Sequence, residues 1–243
     1  MSATGGTPKT RSSEAMIRFD SVSKRYPGGL EALSEVTFEI PRGTMAFVTG
    51  HSGAGKSTLL RLIALLERTT RGQVLVAGQN LRRIGRRRVP YHRRNVGLIF
   101  QDHRLLYDRP VFDNVALPLV ITGLDGPELG RRVRAALDQV GLLSRERAYP
   151  VALSSGEQQR VGIARAIVGK PPLLLADEPT GNLDPDLSRE IMALFERFNR
   201  VGTTVLVASH DLELIRGTGY PRMVLDQGRL VQGLDHAGEP AGA

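Results

Sequence analysis

The stretch that most limits what this chain can fold into is GHSGAGKST, Gly50–Thr58. It satisfies G-x-x-x-x-G-K-[ST] between "TMAFVTG", which reads as a strand, and "KSTLLRLIALLER", whose apolar spacing is helical. A strand, a glycine-rich turn and a helix in that order form a phosphate-binding loop. The glycines at 50, 53 and 55 let backbone N–H groups of His51, Ser52, Ala54 and their neighbours wrap phosphate oxygens. Lys56 supplies a point charge for the β- and γ-phosphates. The Ser57 hydroxyl, with Thr58 beside it, can ligate Mg²⁺.

The flanking pattern sets the fold class. "MIRFDSV" and "VTFEI" alternate like half-buried strands, and "NVGLIF" reads as another. "PPLLLADE" and "TTVLVASH" are continuous apolar runs of the kind a parallel strand covered on both faces requires. "DLSREIMALFERFNR" has the spacing of an amphipathic helix. Strand–helix alternation at both ends implies an α/β fold with a parallel sheet. The middle, about 102–170, reads as helices ("VFDNVALPLVITG", "PELGRRVRAALDQVG", "GEQQRVGIARAIVG") and is best explained as an inserted helical subdomain. Residues 1–15 and 233–243 offer little to pack and are expected to be disordered tails around a folded domain at 16–232.

Two acids end the run "LLLADEPTGNLD". Asp177 can hold Mg²⁺ through water, and Glu178 can orient or deprotonate an attacking water. Two acids capping a strand are common, and it is the phosphate loop that makes the functional reading the better one. Gln101, after "VGLIF", can bridge the cation and the water, and His210, after "TTVLVAS", can donate to the γ-phosphate. Either residue alone would read as structural. A second anion site appears in "ALSSGEQQRVGIARA": Ser154 and Glu157 form a Ser-x-x-Glu capping box at the start of a helix, where free N–H groups favour an anion.

In this order, the phosphate loop, Gln101, "LSSGEQQ", "LLLADE", "NLD" and His210 resemble an ABC-type ATPase nucleotide-binding domain over about residues 16–232. The resemblance implies a P-loop ABC ATPase fold, with a mostly parallel core, an antiparallel β subdomain and the inserted helical subdomain. It implies ATP hydrolysis with ATP and Mg²⁺ as cofactors, by a homodimer that closes over two nucleotides. Ser154, Gly156 and Glu157 would then belong to a signature that reads the γ-phosphate on the partner subunit's loop, with Asp184 at the dimer interface. Tyr26, in "KRYPGG", matches the aromatic that stacks on adenine. The chain departs from the pattern at Ser155, where glycine is usual, and at Glu157, where glutamine is common. "GHSGAGKSTLL", "FQDHRLLYDRPVFDNVALPL" and "GEQQRVGIARA" look like the bacterial cell-division branch of the family rather than its lipoprotein-release or macrolide-export branches. That likeness implies an FtsX-like polytopic membrane partner, other division proteins, and a peripheral place on the cytoplasmic face of the inner membrane.

Charge and composition fit this reading. The net charge of +8 calls for an anionic partner, and the absence of cysteine excludes disulfides, thiolate catalysis and cysteine metal sites. No run approaches the roughly 20 apolar residues of a membrane span, so the chain is expected to be soluble and to reach a membrane only through a partner or its surface. "LRRIGRRRVPYHRRN" holds seven arginines. It is a solvated face or, more sharply, a contact for anionic lipid headgroups. Interleaved aromatics and a reading helix are both missing, so nucleic acid is not an expected partner.

Overall fold

The computed structural model describes residues 15–181, 183–216 and 218–235. Among the described residues ten strands form two sheets. The first is antiparallel, in the order β2-β1-β4-β5, built from β1 (Ala15–Arg25), β2 (Glu31–Pro41), β4 (Arg71–Val76) and β5 (Gln79–Asn80). The second runs β10-β9-β3-β8-β7-β6. It contains β3 (Met45–Thr49), β6 (Val96–Ile99), β7 (Leu173–Asp177), β8 (Thr204–Ala208), β9 (Arg222–Asp226) and β10 (Arg229–Asp235). Neighbours in it are parallel except β9 and β10, which form an edge hairpin.

The apolar runs of β3, β7 and β8 have the cause the sequence suggested. Ala46, Val48, Leu173, Leu175, Leu206 and Ala208 pack into one core, shared with the antiparallel sheet and α1 (Lys56–Ile63). Their alternates Met45, Phe47, Leu174, Ala176, Val205 and Val207 pack into a second core with the helices. Side chains that alternate between two dry faces favour apolar residues at both, and the buried polar exceptions in β3 and β8, Thr49 and Thr204, stand at strand ends. The inserted helices are α3 (Val111–Ile121), α4 (Gly126–Gln139) and α5 (Ser155–Ile167), and α6 (Pro185–Arg200) follows β7.

Several boundaries differ from expectation. α1 stops at Ile63 although its pattern runs on to Arg68. The Leu66 N–H bonds the Arg61 carbonyl, the Leu65 N–H bonds the Leu62 carbonyl, and Leu65 itself takes φ 53°, which together make a Schellman ending without glycine. Ala15 already pairs with Pro41, and β10 runs to Asp235, so residue 15 and residues 233–235 belong to sheets and not to tails. The other residues expected in the tails, 1–14 and 236–243, lie outside the described ones. A short α2 (Val89–Arg94) and α7 (Leu212–Arg216) complete the order. Among the described residues no helix is long and apolar enough to cross a membrane.

Candidate active site

Strand β3 delivers the chain into the phosphate loop, and two backbone segments hold that loop from behind. Gly50 has φ 146°, and a Cβ there would sit 2.2 Å from the Leu225 carbonyl oxygen of β9. Gly55 has φ 109°, and its Cβ would sit 2.6 Å from the Ala32 carbonyl oxygen of β2. Only glycine permits both the backbone conformation and the approach. The β9–β10 turn completes the clamp: the Gly228 N–H donates to the Ala54 carbonyl at 3.1 Å, and the Gly228 carbonyl accepts from Ser34 N–H at 2.8 Å. Asp226, Gln227 and Gly228 went unread in the sequence. Their signal was the D-x-G turn, with φ 46° at Gln227 and 76° at Gly228, as a two-residue hairpin loop demands.

The loop, β7 and β8 end at one cleft of about 740 Å³. Its lining includes Tyr26, His51 through Thr58, Gln101, Glu178 and His210, so the motifs converge there from five separate parts of the sequence. Lys56 is buried, at 7% exposure, with its ammonium 2.7 Å from the Gly50 carbonyl, 3.2 Å from the His51 carbonyl and 3.3 Å from Glu178 Oε1. The Ser57 hydroxyl donates to Asp177 Oδ1 at 3.0 Å. Burial pushes the Asp177 carboxyl above its usual value, the Glu178 charge adds to that rise, and the Ser57 hydrogen bond opposes it. A carboxylate that is costly to charge alone, bonded to a hydroxyl, fits a hydrated divalent cation. Among the described residues no group of three or more acids or histidines could hold a metal. Mg²⁺ keeps several waters and takes further ligands from phosphate, so a hydroxyl and a carboxylate are the kind of protein ligands it uses.

Glu178 follows the end of β7 in the left-handed region, φ 47°, where a non-glycine residue is strained. Its N–H donates to the Ala208 carbonyl at 2.9 Å, which fixes the turn. The turned carboxylate accepts from the His210 backbone N–H at 3.2 Å and lies 2.9 Å from His210 Nδ1. A carboxylate held on one side by a lysine and on the other by a histidine can accept a proton from water at the cleft. His51 lies on the rim, 2.9 Å from Asp226 Oδ1 and 2.6 Å from the Ser52 carbonyl. Tyr26 reaches Thr58 through its hydroxyl at 3.4 Å, and the Lys24 ammonium lies 4.7 Å from its ring centroid. Gln101 is exposed at the cleft, and its side chain has no hydrogen-bond partner among the described residues.

Ser154, Gly156 and Glu157 do not line this cleft. Ser154 caps α5: its hydroxyl accepts from the Glu157 N–H at 3.2 Å, and the Glu157 carboxylate accepts from the Ser154 N–H at 2.9 Å. Arg145 adds an ion pair to Glu157 at 3.1 Å. Ser155 is the first residue of α5 and is not among the positive-φ positions, so its Cβ brings no backbone strain in place of the usual glycine. Gly156 is a packing glycine: a Cβ there would come within 2.1 Å of the Leu187 Cδ2 on α6. Asp184 is the N-cap of α6, accepting from the Leu187 N–H at 3.0 Å.

The phosphate loop with Lys56 and Ser57, joined in one cleft by Gln101, Glu178 and His210, suits a phosphate, a hydrated cation and a water, and the protein is a P-loop ATPase. More narrowly, the chain belongs to the ABC transporter family, whose description matches residues 33–181. The cell division ATP-binding protein FtsE of Escherichia coli (strain K12) is 58% identical over 221 residues, covering 91% of this chain and 100% of that protein. FtsE of Haemophilus influenzae is 51% identical over 216 residues, covering 88% of this chain and 99% of its own length. Among solved structures, a dimeric post-hydrolysis state of the ATP-binding cassette MJ0796, bound to ADP and Pi, has a TM-score of 0.85 at 31% identity and covers 93% of this chain and 100% of its own.

Proposed function

We propose that the chain is the ATP-hydrolysing subunit of a cell-division complex, in which closure of two copies over ATP drives an FtsX-like membrane protein that regulates septal cell-wall hydrolysis. The observation that carries the reading is the 58% identity to a cell division ATP-binding protein over that protein's whole length. Other division proteins would join through the membrane partner, which places the chain on the cytoplasmic face of the inner membrane. Lipoprotein release and macrolide export remain the competing assignments, and the cell-division names of the relatives weigh against them.

The cleft supplies a mechanism. The Lys56 ammonium pairs with Glu178 and donates to the Gly50 and His51 carbonyls. The β- and γ-phosphates compete for the Lys56 ammonium and so release the Glu178 carboxylate, which His210 keeps aimed. Glu178 then accepts a proton from the attacking water, and His210 donates to the γ-phosphate. The imidazole can serve both Glu178 and a phosphate as donor only when both ring nitrogens carry protons. Bound Mg²⁺ would neutralise phosphate charge, with Ser57, Asp177 and Gln101 as the residues to hold it. Tyr26 would stack on adenine, with His51 and the rest of Gly50–Thr58 around the phosphates.

The start of α5 in a second copy would meet the γ-phosphate through Ser154 and the backbone of Gly156, beside Glu157. The dimeric state of the MJ0796 cassette supports that assembly. Two clamped nucleotides give the closed state its differential affinity, and hydrolysis removes it. The deciding experiment is affinity purification of the tagged chain from detergent-solubilised native membranes with ATP present. Recovery of an FtsX-like permease with division proteins is expected. Recovery of a lipoprotein-release or export permease instead would overturn the assignment while leaving the ATP chemistry intact.

A further inference from the structure

The arginine-rich strip is not used by the ATP site. From Glu67 to Asp102 the sequence contains no acidic residue, and seven arginines fall between Arg82 and Arg94. The strip folds as two 3-10 turns, Leu81–Arg83 and Arg86–Arg88, running into α2. Its backbone is pinned from beneath. Leu81, Ile84 and His92 are buried, His92 Nε2 lies 2.7 Å from the Ile63 carbonyl, and the Arg68 guanidinium donates to the Ile84 carbonyl at 2.8 Å. With the anchors inside, all seven arginines are exposed.

These charges are not answered within the chain. None of the seven forms an ion pair among the described residues, and Arg82, Arg83, Arg86, Arg87 and Arg88 have no side-chain partner there at all. Asp20 shares a shallow pocket with Arg82 and Arg83 but is already bonded to Arg18 and Gln73. So many like charges repel one another and weaken the fold unless an external anion meets them.

An apolar component stands beside the charge. Tyr91 is 62% exposed, with the Arg94 guanidinium 4.9 Å from its ring centroid. Arg94 also donates to the Ile121 carbonyl at 3.3 Å, which brings the end of α3 alongside, where Val120 and Ile121 are 55% and 62% exposed. Arginines around an exposed tyrosine and two aliphatic side chains suit a boundary that is anionic outside and apolar just beneath. A nucleic acid would use the charge and leave the aliphatic pair unexplained, and a single tyrosine is no stacking platform for bases.

We infer that the strip Arg82–Arg94, with Tyr91, Val120 and Ile121, is a contact surface for an anionic lipid bilayer. It places the protein on the membrane in addition to whatever a membrane partner does, and it does not depend on which partner that is. Each arginine near such a surface raises binding about fivefold at low salt.

The test uses the full chain and co-sedimentation with vesicles of phosphatidylglycerol and phosphatidylcholine, against phosphatidylcholine alone. Binding to the anionic vesicles, falling steeply with salt, is expected. The triple variant Arg86→Ser, Arg87→Ser, Arg88→Ser should lose about a hundredfold in binding. Its ATPase rate should be unchanged and its melting temperature no lower than that of wild type, since relieved repulsion can only raise it, which separates lipid contact from misfolding and from the catalytic reading. Ile121→Ser should weaken the binding that survives high salt. Wild-type protein that stays in the supernatant at low salt overturns the proposal, as does a triple variant that sediments like wild type. So does a DNA duplex that binds the strip more tightly than the vesicles and displaces them.

Discussion

The cleft at the phosphate loop and the start of α5 both carry motifs that point to phosphate, yet they are finished to different degrees. In the cleft, Lys56 and Glu178 are nearly buried, at 7% and 12% side-chain exposure, and bond to each other, to the loop and to His210. The catalytic groups are held by the chain's own fold. At the start of α5, the polar side chains bond mainly to one another and to Arg145, in a cap exposed to solvent. That cap is complete as a helix end. One surface closes around its own side chains, and under the proposed function the other would be completed by a second copy. The link between them is steric: Gly156 on α5 lies under Leu187 on α6, and α6 begins at Asp184, a short loop after Glu178.

The largest expected effect tests the self-contained half. Glu178→Gln keeps the size of the side chain and removes its basicity, so turnover should fall by about 10²–10⁴ while ATP binding persists. Steady-state phosphate release and nucleotide titration check this, and near-normal turnover would remove Glu178 from the role of base. The next effect tests the link. Gly156→Ala brings a methyl group onto Cδ2 of Leu187, the end of a half-buried side chain that can turn aside, and should cost up to about 1 kcal/mol, the low end of overpacking. Leu187→Ala in the same chain should recover part of that loss in thermal melts. Equal stability of Gly156→Ala and wild type would mean that the two helices are not in the contact described.

The phosphate loop could be read from the sequence because local chemistry marks it, whereas the acids of β7 and His210 drew their reading from that loop and from the order of the motifs. Glycines must stand where phosphate and backbone approach, and strands with two dry faces must be apolar throughout. What stayed hidden depends on distant pairing. Nothing beside Gly50 says that the Leu225 carbonyl lies behind it, and nothing beside Gly55 points to Ala32. The β9–β10 hairpin that clamps the loop has no chemistry of its own, only a turn. Gly156 showed the same limit from the other side: its motif suggested phosphate, whereas its missing side chain makes room for Leu187. The early end of α1 at Leu65 carried no glycine or proline to announce it.

Asp177 sharpens the comparison by measuring what preparing a cation site costs. Burial raises its pKa, so with both cation and nucleotide absent the charged form is a burden on the fold. A carboxyl whose folded pKa lies above its unfolded value, 3.8, favours the fold most below that value, and the benefit is lost as pH rises through the folded pKa. At neutral pH Asp177→Asn should therefore melt higher than wild type, by about 2–4 °C for each kcal/mol relieved in a chain of this size. Its Mg²⁺-dependent turnover should collapse, and MgATP should stabilise it less than it stabilises wild type. A variant that melts lower at neutral pH would show that the carboxylate is already well compensated without the cation.

The smallest effect concerns Glu157, and here stability and activity should move in opposite directions. Its pKa is lowered, first by the Ser154 N–H and then by Arg145, so its contribution is present above the ordinary value of 4.5 and is lost as pH falls through the lower folded value. Glu157→Gln keeps an oxygen for the Ser154 N–H but loses the charge that Arg145 and the helix N-terminus favour. The cost at neutral pH should be about 0.3–1 kcal/mol, and the variant should lack the part of acid unfolding that wild type shows below pH 4.5. The same charge stands where a second copy would bring a γ-phosphate, so removing it should raise turnover by a few-fold. The gain should be greatest at low ionic strength, where screening is weakest. Paired acid-unfolding and ATPase measurements decide the matter. If the variant is both less stable and slower at every salt concentration, Glu157 acts only as a cap, and the start of α5 does not meet phosphate as its motif implies.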